Sequence, residues 1–146
     1  MTLAEGIARL DRMARALPAA MRGAEQENGQ ALLAAARQHS HGAFSSRMLA
    51  AMGHPYSRRH RRARLDPGVI NIQSGRFAAS WALLPPALAG GVMQTIVLNH
   101  DLPVADFLAS GTRRMIARPL PEKVLGENEA EIDRRRDAAL RRLLGR

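Results

Sequence analysis

The stretch from Val104 to Pro119 constrains the fold more than any other part of the chain. Ala105 to Ser110 can form barely two helical turns, and Gly111 supplies the backbone freedom that ends such a helix. Arg118-Pro119 then forces an extended exit before the next element. No nucleophile stands beside a base in this stretch. The pattern is therefore typical of a docking element and not of a catalytic one.

Short motifs within this stretch carry a family resemblance. Phe107-Leu108, Gly111-Thr112, Met115 and Ala117-Arg118-Pro119 resemble the "flExGT…M.ARP" signature of tail-completion proteins. A second segment, Ser74 to Trp81, is similar to that family's "TGxLxxSW" segment and stands upstream in the expected order. The chain departs from the pattern at Ser110, where the family often has an acid, and at Val104, where an aromatic residue is common.

The resemblance implies a structural protein of the virion, located in the tail or neck of a long-tailed double-stranded-DNA phage and assembled in the host cytoplasm. It implies a homo-oligomeric ring, often hexameric, that lets DNA pass. Its partners would be the tail tube or tail terminator protein and the head-closure or connector protein. We expect no enzyme activity, catalytic residue, metal or cofactor. The residues assigned to subunit or tube contacts are Arg76, Trp81, Phe107, Gly111, Thr112, Arg113, Arg114, Met115, Arg118 and Pro119.

The apolar residues predict a modest core that depends on neighbouring subunits. Hydrophobic residues make up 46% of the 146 residues but aromatic residues only 3%, so the core must be built from Ala, Leu, Met and Ile. Alanine buries little area, and such a core gains stability from association. A chain of this length is expected to form one domain. The chain has no cysteine, which excludes disulfides.

Positive charge is concentrated in arginine. The net charge is +9, and Lys123 is the only lysine. A GC-rich coding sequence explains this composition, and so does a partner that carries phosphates or carboxylates, which arginine binds in bidentate fashion. The sharpest local cluster is the run Arg58, Arg59, Arg61, Arg62 and Arg64, a candidate contact for DNA or an acidic partner. Its alternative is a solvated loop held open by self-repulsion.

Helical spacing of apolar residues predicts a long N-terminal helical part. Residues 3–17 form an amphipathic helix, with Thr2 and Glu5 as a capping box. Pro18 is expected to start or kink a second helix over 19–39. A short helix follows from Ser45 or Ser46 to Met52.

Two strand patterns predict a hairpin. Trp81 to Leu84 can form a strand that Pro85-Pro86 closes, and Gly90-Gly91 reverses the chain into Val92 to Leu98. A hairpin needs cover on one face, which the helices can supply. Trp81 is interpreted as a core anchor in preference to an exposed interface residue.

These patterns together predict an α+β fold, in which N-terminal helices and a C-terminal helix pack on a small antiparallel β-sheet beside a long basic loop. The single domain 1–146 divides into a helical part (1–52), the basic loop (53–73), the hairpin with the docking segment (74–120) and the last helix (121–146).

Other classes of function find less support in the residues. The histidine pairs His39/His41 and His54/His60 lack further ligands at metal-binding spacing. We expect no membrane partner, because no apolar run approaches the roughly 20 residues of a membrane span. The alternative function is a stand-alone basic protein that binds the nucleic-acid backbone without sequence specificity.

Overall fold

The computed structural model describes residues 2–42, 44, 46–51, 70, 75–113 and 115–145, and its α+β fold confirms the predicted class. The elements, in chain order, are α1 (Leu3–His39), α2 (Ser46–Ala51), α3 (Arg76–Ala79), β1 (Trp81–Ala89), β2 (Val92–Asn99), α4 (Leu102–Ser110) and α5 (Leu120–Leu144). Apart from Ile70, the predicted basic loop (53–73), with its five arginines, lies outside the described residues.

Helix α1 begins at the predicted capping box and continues through Pro18. The backbone N–H of Thr2 donates to Oε2 of Glu5 at 2.7 Å, and the N–H of Glu5 donates to Oγ1 of Thr2 at 3.3 Å. The prediction of a separate helix after Pro18 is wrong, because one helix runs from Leu3 to His39. Proline removes the hydrogen bond to the carbonyl of Ala14. Ala14 is exposed, so water can hydrate that carbonyl.

The hairpin consists of β1 and β2, joined by a two-residue turn at Gly90-Gly91. Both glycines have positive φ, 56° and 80°, as a tight hairpin turn requires. The prediction that Pro85-Pro86 closes the first strand is wrong, since β1 continues to Ala89. In a sheet of two strands each strand has an outer edge, so one of the two consecutive proline nitrogens can face this edge, where it removes no ladder bond.

The chain divides into two compact units, which we describe separately. Unit 1 contains Met1–Ala31, Leu83–Ile96 and Asn128–Arg146. In this unit the hairpin packs on α1 at Gly29, where a Cβ atom would lie 2.5 Å from both Leu83 Cδ1 and Thr95 Cγ2. Helix α5 runs antiparallel to α1, because Arg135 and Arg136 bond to Asn28 and Glu25 while Leu144 bonds to Arg9.

Unit 2 contains Leu32–Ala82 and Val97–Glu127 and holds the larger apolar cluster. Phe77 packs edge-on against Trp81, with ring centroids 5.7 Å apart. Trp81 is buried, as the core-anchor interpretation predicted. The buried members of the cluster are Ala36, Ile70, Trp81, Leu108, Leu120 and Val124.

Candidate functional site

The docking segment, residues 104–119, is held in a sharp turn after α4. The helix ends at Gly111, whose φ of 71° and ψ of −177° lie in a region that only glycine adopts readily. A Cβ atom at this position would lie 2.6 Å from the backbone nitrogen of Ala117 and 2.8 Å from the carbonyl oxygen of Met115. Glycine is therefore required at position 111 for two reasons: its backbone conformation, and the close approach of the backbone at Met115 and Ala117.

A four-residue turn follows Gly111. The N–H of Thr112 donates to the carbonyl of Met115 at 2.8 Å, and the N–H of Met115 donates back to the carbonyl of Thr112 at 3.3 Å and to its Oγ1 at 3.0 Å. These bonds place Arg113, which is exposed, at the tip of the turn. The GT pair of the motif thus has a local role: glycine permits the turn, and the threonine hydroxyl closes it.

The exit from the docking segment is fixed to α4. The N–H of Arg118 donates to the carbonyl of Leu108 at 2.7 Å, and the N–H of Leu120 donates to the carbonyl of Arg118 at 2.7 Å across Pro119. The Arg118 side chain is fully buried. The prediction that Arg118 contacts a partner is corrected accordingly, because burial in unit 2 removes the guanidinium from the surface.

Two consecutive hydrogen bonds hold the side chain of Trp81 in place. Its Nε1 donates to Oγ of Ser40 at 2.9 Å, and Ser40 Oγ donates to the carbonyl of Ala36 at 2.7 Å. Because both side chains are buried, these bonds satisfy polar groups that would otherwise be costly. Trp81 therefore lies in the interior. This agrees with its interpretation as a core anchor and not with its assignment to an interface.

Arg76, from the second motif, lies close to the start of α4. Its Nη2 is 3.2 Å from Oδ1 of Asp101, a carboxylate that is almost fully buried while Arg76 remains exposed. Asn99 supports this arrangement by donating to the carbonyl of Phe77 and accepting from the N–H of Asp101, both at 2.9 Å. The two motifs are thus neighbours within unit 2, an arrangement that the sequence alone did not predict.

The ten predicted contact residues therefore separate into groups. Phe107, Arg113, Pro119 and Arg76 are exposed, and Arg76 is paired with Asp101. The backbone of Gly111, Thr112 and Met115 forms the turn between them, and Met115 also packs against the core. Trp81 and Arg118 are interior. Arg114 and the arginine run Arg58, Arg59, Arg61, Arg62 and Arg64 lie outside the described residues.

In unit 1, polar side chains are buried and large apolar side chains are exposed. We call this arrangement the inverted polarity of unit 1, and the sequence alone did not predict it. Its interior holds the buried side chains of Glu25 and Asn28, which bond to Arg136 and Arg135 of α5 at 2.5 Å and 3.2 Å. Its buried apolar residues are Ala24, Met93, Ile132 and Ala139. Its exposed large apolar residues are Leu3, Ile7, Leu10, Leu17, Leu84, Leu88, Val92, Ile96, Leu140 and Leu144.

The clefts in the described part of the chain have few side chains that could bind a metal ion or take part in a reaction. One of about 230 Å³ in unit 2 is mostly apolar and lies between α4 and the cluster around Trp81. Among the described residues no group of three or more His, Cys, Asp or Glu side chains could bind a metal ion. Within the same ranges, every helix is too short or too polar to span a membrane. What the arrangement can do is present apolar and arginine-bearing surfaces to a partner.

Comparison with protein-family models, with curated proteins and with solved structures found no match for this chain.

Proposed function

We propose that this chain is a structural adaptor of the tail-completion type, which forms a homo-oligomeric ring at the neck of a tailed phage. In this function it joins the tail tube to the head-closure complex and lets DNA pass. The chain acts through surfaces and performs no reaction of its own. It is located in the virion and assembles in the host cytoplasm.

The observation that carries the proposal is the inverted polarity of unit 1. Among the described residues of unit 1, ten large apolar side chains are exposed, whereas four apolar residues are buried, two of them alanines. Exposed apolar surface of this extent marks an interface. A subunit whose apolar surface is covered by its neighbours explains both the exposed residues and the low aromatic content.

The docking segment supports the same function. Phe107 and Pro119 expose apolar surface, and Arg113 stands at the tip of a turn that Gly111 and Thr112 hold in place. A rigid turn presents a charged residue without the entropic cost of ordering a loop on binding. This geometry suits a contact with the tail tube or with an adjacent subunit.

Binding to purified tails tests the proposal. Tails that lack their neck should bind the protein in a fixed ratio and then become competent to join heads, as seen by electron microscopy. Substitution of Arg113 and Phe107 by serine should weaken this binding, whereas substitution of the exposed Leu125 on α5 should not. Protein that neither binds tails nor changes their joining would contradict the proposal.

The net charge of +9 favours a second candidate, a basic protein that binds the nucleic-acid backbone. A monomer that binds phosphates in this way should lose affinity steeply as salt increases. Replacement of Arg58, Arg59, Arg61, Arg62 and Arg64 by serine would then abolish DNA retardation in a gel. An assembled ring that is unaffected by salt or by this replacement would exclude the second candidate.

A further inference from the structure

Along one face of α1, the exposure of the side chains decreases from the start of the helix toward Ala24. Leu3, Leu10, Leu17 and Ala24 stand seven residues apart, so they form one stripe along the helix. Their exposed fractions fall along the chain from 83% through 66% and 38% to 7%. The buried end lies beside Glu25 and Asn28, where α5 packs, and α5 ends at Leu144, which bonds to Arg9. The apolar face of α1 therefore extends beyond the cover that the described residues of its own chain supply.

The outer face of the hairpin is the second exposed apolar surface of unit 1. Leu83 and Thr95 point toward Gly29 of α1. Because successive side chains of a strand alternate, Leu84 of β1 and Val92 and Ile96 of β2 point the other way. Val92 and Ile96 are more than half exposed. No Asp, Glu, Lys or Arg occurs between Phe77 and His100, so this face carries no charge.

The two surfaces match in chemistry, and the α1 stripe is long enough to cover the hairpin face. We define the α1 stripe as Leu3, Ile7, Leu10 and Leu17, which extends about 21 Å at 1.5 Å per residue. The hairpin face, Leu84, Val92 and Ile96, extends roughly 13 Å along its strands. Residues beside the stripe include Ala4, Gly6 and Ala14, which let a sheet approach closely. Contact between the two surfaces would bury no charged group of the hairpin, so there is no desolvation penalty for one.

We propose that the hairpin face of one chain packs on the α1 stripe of the next copy of the same chain. The inference rests on the proposed ring, and it names the two surfaces that form the contact. Because the surfaces differ, the contact is head-to-tail, and its repetition closes into a ring or continues as a filament. A single type of contact then covers both apolar surfaces of unit 1. The hairpin has no cationic side chain that could bind a phosphate. Its apolar face therefore does not support the alternative function of nucleic-acid binding.

Disulfide trapping tests the contact directly, because the natural chain has no cysteine. We would prepare Leu10→Cys, Ile96→Cys and the double variant, assemble each, oxidise mildly and run non-reducing gels. An equal mixture of the two single variants should give linked dimers, and neither should link to itself. The double variant should give a ladder of linked multimers. Both positions are exposed, so the substitutions leave the fold intact.

The other outcomes are distinguishable. Self-linked Leu10→Cys would overturn the proposal in favour of a two-fold α1 contact. An oligomer in the double variant without any link would overturn the contact and leave the ring standing. A monomer at every concentration would overturn both the contact and the proposed ring.

Charge substitution supplies a second, independent readout. Leu10→Asp or Ile96→Asp should raise the concentration needed for half-assembly by roughly tenfold or more, because each places a carboxylate in an apolar contact. Leu125→Asp is the matched control, since Leu125 is an exposed leucine of unit 2. Circular dichroism checks that all three variants keep their helix content. Equal assembly of all three would overturn the proposal.

Discussion

Nε of Arg136 donates a hydrogen bond of 2.5 Å to Oε1 of Glu25, and the two side chains differ greatly in exposure: 39% for Arg136 and 3% for Glu25. The hydrogen bond that Arg136 donates to Glu25 is the main cause that raises the pKa of Arg136, and burial opposes this shift. A cation whose pKa is raised on folding contributes stability that is lost only as pH rises through that pKa. The arginine's contribution is therefore constant through the neutral range.

We expect removal of Arg136 to cost more stability than neutralisation of Glu25. Arg136→Ala leaves a buried carboxylate without this partner and should lower the free energy of unfolding by about 1–3 kcal/mol. Glu25→Gln should cost less, because the partly exposed Arg136 can turn toward water. Urea denaturation at neutral pH measures both values. Arg134→Ala, on the exposed face of α5, is the control and should be close to neutral. A larger loss for Glu25→Gln would contradict this interpretation.

The two glycines inside α1 should respond in opposite directions to alanine. Gly23→Ala adds a methyl group in open space and should stabilise the chain by about 0.5–1 kcal/mol through helix propensity. Gly29→Ala forces its Cβ to within 2.5 Å of Leu83 and Thr95, and overpacking of this kind costs about 1–3 kcal/mol. Thermal unfolding followed by circular dichroism compares them. Stabilisation by both substitutions would show that the hairpin does not pack on α1 at Gly29.

Gly111→Ala should damage unit 2 severely. The positive φ costs of order 1–3 kcal/mol for a residue with a side chain, and the added Cβ meets the backbone of Met115 and Ala117. Trp81 is the only tryptophan, so its fluorescence reports unfolding of this unit. Gly126→Ala is the matched control, since that glycine lies in α5 with open space around its Cα, and this change should stabilise. Equal stability of the two variants would contradict the assigned conformation of Gly111.

We expect Ser40 to contribute to stability, because its hydroxyl accepts a hydrogen bond from the indole N–H of Trp81. Ser40→Ala leaves the buried Nε1 of Trp81 without that hydrogen bond and should cost about 1–3 kcal/mol. Ser80 provides the comparison, because its hydroxyl donates to the carbonyl of Arg76 in an exposed position. Ser80→Ala should change stability by less than about 0.5 kcal/mol. Chemical denaturation with Trp81 fluorescence distinguishes them, and equal losses would argue against the buried bond.

Local patterns predicted much of the fold. The capping box at Thr2 and Glu5, the turn at Gly90-Gly91 and the break at Gly111 depend on neighbouring residues, and the structure has all three. The prolines were misjudged because their cost depends on surroundings. Pro18 frees a carbonyl on an exposed helix surface, and Pro85-Pro86 lies in a strand that has one free edge.

The candidate surfaces were less predictable. The spacing of Leu3, Leu10 and Leu17 indicates an apolar stripe, but it cannot show where the covering helix ends. Likewise, the burial of Glu25 depends on Arg136, which is 111 residues away in sequence. Arg118 was misjudged for the same reason, since an arginine in an extended stretch is ordinarily exposed. Long-range packing decides these cases, and a single sequence records it only indirectly.

The most direct test of the proposed function is the mass of the purified, nuclease-treated protein across a salt series, by analytical ultracentrifugation or mass photometry. We predict a discrete multimer that persists at high salt, because apolar surfaces hold it together, and that appears as a ring in negative stain. A monomer that gains mass only with DNA at low salt would contradict the ring and favour the basic nucleic-acid-binding protein.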